Sequence, residues 1–112
     1  MSAPKLSRRV TLERRLTAPD GAGGQAGGWQ ALGTLWAEMT PRAGREGRGA
    51  GGALARAGYR VTIRALPEGS ASRPRVTDRL RLGGRVLEIL AVQEADAAAR
   101  YLVLTVEERA GA

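Results

Sequence analysis

Apolar and polar residues alternate along most of the chain, the pattern of strands that bury one face. In residues 8–16, Val10, Leu12 and Leu16 fall on one parity while Arg9, Thr11, Glu13 and Arg15 fall on the other. Tyr59, Val61 and Ile63 alternate with Arg60, Thr62 and Arg64, and Leu80 and Leu82 with Arg79 and Arg81. Residues 85–92 are apolar at both parities, Val86, Leu90 and Val92 against Leu87, Ile89 and Ala91, which predicts a strand covered on both faces. Residues 101–106 read the same way. Across 29–40, Trp29, Ala31, Leu35, Ala37 and Met39 share a parity; Gly33 interrupts where a bulge fits, and Pro41 closes the segment.

Turn chemistry links these segments. Gly83-Gly84 predicts a two-residue hairpin of type I′, whose central positions both need positive φ. Asp96 and the three alanines after it form a longer link to the last strand, or a short helical turn instead. Two stretches carry too little apolar surface to join a core. Residues 19–28 hold five glycines, and residues 41–58 hold six together with Arg42, Arg45, Arg48 and Arg56. Both predict flexible loops. Two helical turns over 50–57 would have to tolerate Gly51 and Gly52, at about 1 kcal/mol each relative to alanine. The expected fold is therefore all-β: a small antiparallel barrel or sandwich, with a long Gly/Arg-rich loop, with or without a short helix, between the second and third strands.

At 112 residues the chain makes one domain with a modest core. Two Trp, two Tyr and no Phe leave Leu, Val, Ile and Ala to fill it, with Val61, Ile63 and Ile89 as anchors and Trp29 and Trp36 expected in the core or at its edge. So thin a body suits a subunit that neighbours complete. The absence of Cys and His removes disulfides, thiol nucleophiles, imidazole bases and the usual zinc and copper ligands. No apolar stretch approaches a membrane span and none follows the N-terminal charges, so neither membrane insertion nor secretion is expected; the missing cysteine fits a reducing cytoplasm.

The net charge is +7, carried by 17 arginines and a single lysine, Lys5. GC-rich codon usage accounts for arginine over lysine but leaves the excess itself, which points to a polyanionic partner. Arg60, Arg64, Arg79 and Arg81 alternate with aliphatics and form either a solvated polar face or a contact surface. No recognition helix is visible, so binding to nucleic acid would be non-specific.

Other candidate chemistry does not hold together. Residues 47–52 match GxGxxG letter for letter, but neither a preceding apolar strand nor a βαβ context surrounds them. Glu107-Glu108 and the Glu94, Asp96 pair sit beside Arg109 and Arg100, as surface ion pairs would. Serines and threonines lack a base. No catalytic, cofactor or metal site is predicted.

In order, Lys5-Leu6, Arg9-Val10-Thr11-Leu12-Glu13-Arg14, the glycine-rich tip ending in Trp29, Leu35-Trp36-Ala37-Glu38-Met39 and Gly44-Arg45-Glu46 resemble the bacteriophage head-tail joining family, also called head-closure or stopper proteins. Tyr59-Arg60-Val61-Thr62-Ile63-Arg64, Asp78-Arg79-Leu80, Gly84-Arg85-Val86-Leu87-Glu88-Ile89 and Arg100-Tyr101-Leu102-Val103-Leu104 continue the match over nearly the whole chain. The resemblance implies a non-enzymatic connector built around a small β-barrel. Copies, six or twelve, would ring the particle neck between portal or adaptor and tail terminator, around packaged double-stranded DNA, with synthesis in the bacterial cytoplasm and no membrane contact. A GC-rich host fits a prophage-derived gene transfer agent. Ring, channel or DNA contacts would fall to Arg42, Arg45, Glu46, Arg48, Arg56, Arg60 and Arg64. The glycines at 47, 49, 51 and 52 depart from relatives with helix formers there. The competing class is a solitary OB-like, non-specific nucleic-acid-binding protein using the same arginines with Trp29 or Trp36.

Overall fold

The computed structural model describes residues 3–16, 28–42 and 57–109. Six antiparallel strands, β1 (Arg8–Arg15), β2 (Trp29–Pro41), β3 (Ala57–Arg64), β4 (Arg79–Leu82), β5 (Arg85–Glu94) and β6 (Tyr101–Glu108), close into a barrel in the order β1-β2-β3-β6-β5-β4. The described residues contain no helix. This is the all-β antiparallel barrel that the alternation predicts. The two stretches expected to be flexible loops lie almost wholly outside the described residues.

Inward positions come from every strand: Val10 and Leu12, Ala37, Val61 and Ile63, Leu80, Leu87 and Ile89, then Leu102, Leu104 and Val106. All are aliphatic, and Val61, Ile63 and Ile89 take their expected places. Leu32, Leu35, Met39, Tyr59, Leu82 and Val92 pack around them. Burial of each Leu, Ile or Val contributes about 1.5–3 kcal/mol, which is how a core without buried aromatics still closes the barrel.

The tryptophans depart from expectation, and a bulge is part of the reason. Leu12 pairs with Gly33 but Glu13 pairs with Ala31, so Leu32 is an extra residue in β2. Gly33, at φ +145°, supplies the backbone freedom. The inward parity of Leu35, Ala37 and Met39 thereby passes to Leu32, and Trp29 turns outward opposite Arg15. Trp36, opposite in parity to Ala37, is 53% exposed. Neither tryptophan is a core anchor.

A second bulge corrects the two-faced reading of β5. Ile89 pairs with Val106 and Ala91 with Thr105, leaving Leu90 extra and on the outside. Buried residues on both sequence parities reflect that change of face, Leu87 and Ile89 before it and Val92 after it, and β6 alternates simply. The Gly83-Gly84 hairpin forms, but only Gly83 has positive φ (+61°), the pattern of type II′ and not type I′. After β5 the link holds a hydrogen-bonded turn, in which the Ala99 N–H donates to the Asp96 carbonyl at 2.9 Å.

Strand directions gather the 65–78 loop and the 95–100 turn at one end of the barrel, and the last residues of β2, the first of β3 and the Gly83-Gly84 turn at the other. At the first end Arg14 donates from Nε and Nη2 to the two Asp78 oxygens, at 2.9 and 2.8 Å. It also donates to the carbonyls of Ala71 and Arg73. Asp78 is 3% exposed and also receives the Arg75 N–H. One guanidinium thus ties the loop to the barrel wall.

Candidate functional site

Most carboxylates in the described residues are taken up by arginines of the same barrel. Glu13 accepts from Arg79 (2.7 Å) and Arg81 (3.2 Å), and Glu108 from Arg85 (2.8 Å). Arg109 pairs with Glu88 at 2.9 Å and Arg100 with Asp96 at 3.7 Å. Burial pushes the Glu13 carboxyl up, but the hydrogen bonds and charges of Arg79 and Arg81 outweigh it and hold the group below the usual carboxylate value. The hydrogen bond from Arg85 does the same for Glu108, against burial and with help from Tyr59. Such carboxylates stay ionised at neutral pH and are poor proton donors.

Several arginines, among them Arg8, Arg9, Arg15, Arg60 and Arg64, have no ion-pair partner among the described residues, and Glu38 on the outer side of β2 pairs in register with Thr62, between Arg60 and Arg64. Arg9, Arg60 and Arg64 are exposed on the outer face of β1 and β3, and no carboxylate lies within ion-pairing distance of them among the described residues. They interleave with rings. Arg9 pairs in register with Trp36, its guanidinium carbon 5.7 Å from the ring centre. Ala37 pairs with Ile63, which sets Trp36 beside Arg64 on the outer side, and Arg64 pairs with Tyr101 at 5.8 Å. The row Arg9, Trp36, Arg64, Tyr101 crosses four strands. Each exposed cation–π contact is worth about 0.5–1 kcal/mol, too little to account for leaving the charges unpaired on stability grounds.

Of the residues singled out from the sequence, Arg60 and Arg64 come together here. Arg42 does not: it crosses Gly58, where a side chain would collide with it, and approaches Glu107 at 3.8 Å. Arg45, Glu46, Arg48 and Arg56 lie outside the described residues. Sequence reasoning does not reach Arg9 and Tyr101, because their place in the row depends on strand register; the polar parity of Arg9 is the only available signal. Among the described residues no cluster of acidic side chains is arranged to hold a metal ion.

The profile of the phage head completion proteins matches residues 1–109. The chain belongs to the phage head completion protein family. A chain from the virion of a native gene transfer agent particle is 41% identical to this head completion protein, with a TM-score of 0.82 over 98% of this chain and 100% of that one. Protein SF1141 from Shigella flexneri 2a, solved in solution, is 25% identical with a TM-score of 0.72, and each chain is covered in full. No curated protein matches. Membership assigns this head completion protein a structural part in a phage or phage-like particle, and the barrel is the fold its relatives share.

Proposed function

We propose that this head completion protein forms a closed ring at the particle neck, six or twelve copies between portal or adaptor and tail terminator, retaining packaged double-stranded DNA and receiving the tail. The observation that carries this reading is exposed positive charge without an ion-pair partner among the described residues, set in a row with aromatic rings. Where Glu13, Asp78 and Glu108 each engage an arginine, Arg9, Arg60 and Arg64 have no ion-pair partner among the described residues and lie exposed on β1 and β3. Placed toward the bore, that face meets phosphates of any sequence. Family membership and likeness to a gene transfer agent virion chain support the location. Arg45, Arg48 and Arg56 then reach a neighbouring subunit or the DNA from the 41–58 segment, since guanidinium groups bind carboxylate and phosphate in two-pronged fashion, and Glu46 reaches a cation of a neighbouring subunit. The subunit is made in the bacterial cytoplasm and works in the neck without a membrane.

Mixing the purified chain with portal and adaptor assemblies and viewing the product by electron microscopy tests the proposal. A ring added to the portal–adaptor stack is expected. A chain that stays monomeric and binds DNA tightly by itself overturns it in favour of a solitary nucleic-acid-binding barrel.

A further inference from the structure

A second surface, separate from the arginine and aromatic row, has the makings of a protein-docking site. Between the outer sides of β4 and β5 and the start of β2 lies an open groove of about 500 Å³. Trp29, Val76, Val86 and Leu90 supply its apolar lining. Val76 is 50% exposed and Leu90 45%, so two of the four exposed large apolar side chains among the described residues share this groove. Leu90 is there because the β5 bulge turns it outward. Val76 precedes Thr77, a β-branched residue at φ +82°, a conformation such residues rarely adopt. Strain of this kind concentrates at binding sites, where surrounding contacts enforce it. Here the Thr77 N–H donates to the Ile89 carbonyl and Asp78 is held by Arg14.

The rim carries a specific electrostatic deficit. Arg79 and Arg15 both lie over Trp29, at 4.1 and 5.1 Å from the ring centre. Arg79 is neutralised by Glu13, and Arg109 by Glu88. Arg15 has no carboxylate among the described residues. A ligand that fills the groove therefore needs an apolar side chain for Val76 and Leu90 and a carboxylate for Arg15.

We propose that this groove docks a short extended segment of another protein, one that presents a carboxylate next to large aliphatic side chains. Nucleic acid fits less well. Aliphatic walls offer no stacking platform for successive bases beyond Trp29. Trp29 and Arg15 at the mouth are of the residue types enriched in interface hot spots. The inference does not depend on ring formation.

The test uses the full chain carrying Trp36→Phe, which leaves Trp29 as its single tryptophan and fluorescence reporter. The probe is the synthetic peptide acetyl-Gly-Asp-Leu-Asp-Ile-Gly-amide. A saturable change in Trp29 emission is expected. Binding should weaken roughly tenfold or more when both Asp become Asn or both aliphatics become Ala, the factor for losing about 1.4 kcal/mol. Arg15→Glu and, independently, Leu90→Asp should abolish the response while the thermal melt is retained. Methyl resonances of Val76 and Leu90 should shift with the same midpoint. The proposal is overturned by no saturable change, by equal binding of the Asn peptide, by a response to protein concentration alone, which would make a second copy the occupant, or by a stronger response to a single-stranded oligonucleotide.

Discussion

Arg64 lies over the ring of Tyr101, its register partner on β6, with no carboxylate within ion-pairing distance among the described residues. On the opposite side of the barrel Arg79, also over an aromatic ring, is bound to Glu13 as well. The contrast separates two uses of arginine in one small protein. One set, exemplified by Arg14 and Arg85, joins elements of the barrel; the other, Arg9, Arg60 and Arg64, leaves positive charge available to a partner.

If that face contacts DNA, its contribution should be electrostatic and blind to sequence. Replacing Arg9, Arg60 and Arg64 together by alanine removes up to three phosphate contacts. Each is worth about 0.9 in the slope of log K against log salt, so the slope should become shallower by roughly 2 to 3. Thermal stability should change little, since an exposed cation–π interaction holds only about 0.5–1 kcal/mol. Duplexes of unrelated sequence titrated at several salt concentrations give the answer, and an unchanged slope rules this face out as the DNA contact.

Arg14 and Asp78 should behave differently. Asp78→Ala removes a buried carboxylate that receives three hydrogen bonds and leaves the Arg14 guanidinium without its counter-ion. The cost should be about 3 kcal/mol, read as a lower urea midpoint. Glu108→Gln, which weakens the more exposed pair with Arg85, should cost about 1 kcal/mol or less. Equal costs would mean that Asp78 does not anchor the 65–78 loop.

Acid should act through the same pairs. Glu13 and Glu108 titrate below the ordinary value of 4.5 in the folded chain, so the unfolded chain takes up protons first as pH falls. Their contribution is fully present above the unfolded value and is lost as pH drops through the folded ones. Melting temperature, as far as these groups determine it, should be flat near neutrality and fall below about pH 4.5. Glu13→Gln should be less stable at neutral pH and should lose less on acidification. A parallel fall in both proteins would contradict the assignment.

Much of the barrel is legible in the residues. Val10 with Leu12, and Val61 with Ile63, alternate cleanly, and each lies inside. The misreadings of Trp29 and of β5 share a cause. A bulge at Leu32 or Leu90 changes the inward parity within a strand, and a pattern read at fixed period two carries it through as an error of face. Residue type alone places Trp36 in the core, against its own parity, when a filled aliphatic core has no need of it. The face is half visible: Arg60 and Arg64 show in β3 alone, but adding Arg9, Trp36 and Tyr101 requires knowing that β2 and β6 flank β3. Asp78 is invisible as an anchor because its partner is 64 residues away.

The 41–58 segment offers a separate test of the connector reading. Deleting residues 47–52 should leave the melting temperature within a few degrees of the parent, because glycine-rich chain adds little burial to offset its ordering entropy of about 1–2 kcal/mol per residue. Addition to a portal–adaptor assembly should be lost. A deletion that unfolds the subunit would place the segment in the barrel's stabilising structure instead.

The most direct measurement is an electron cryo-microscopy map of the neck of the assembled particle, with this chain fitted to its density. The account predicts a closed ring of copies between adaptor and tail, with Arg9, Arg60 and Arg64 turned toward the DNA-filled bore. Copies absent from the neck, or a ring whose bore is lined by another face while these arginines point to solvent, would contradict it.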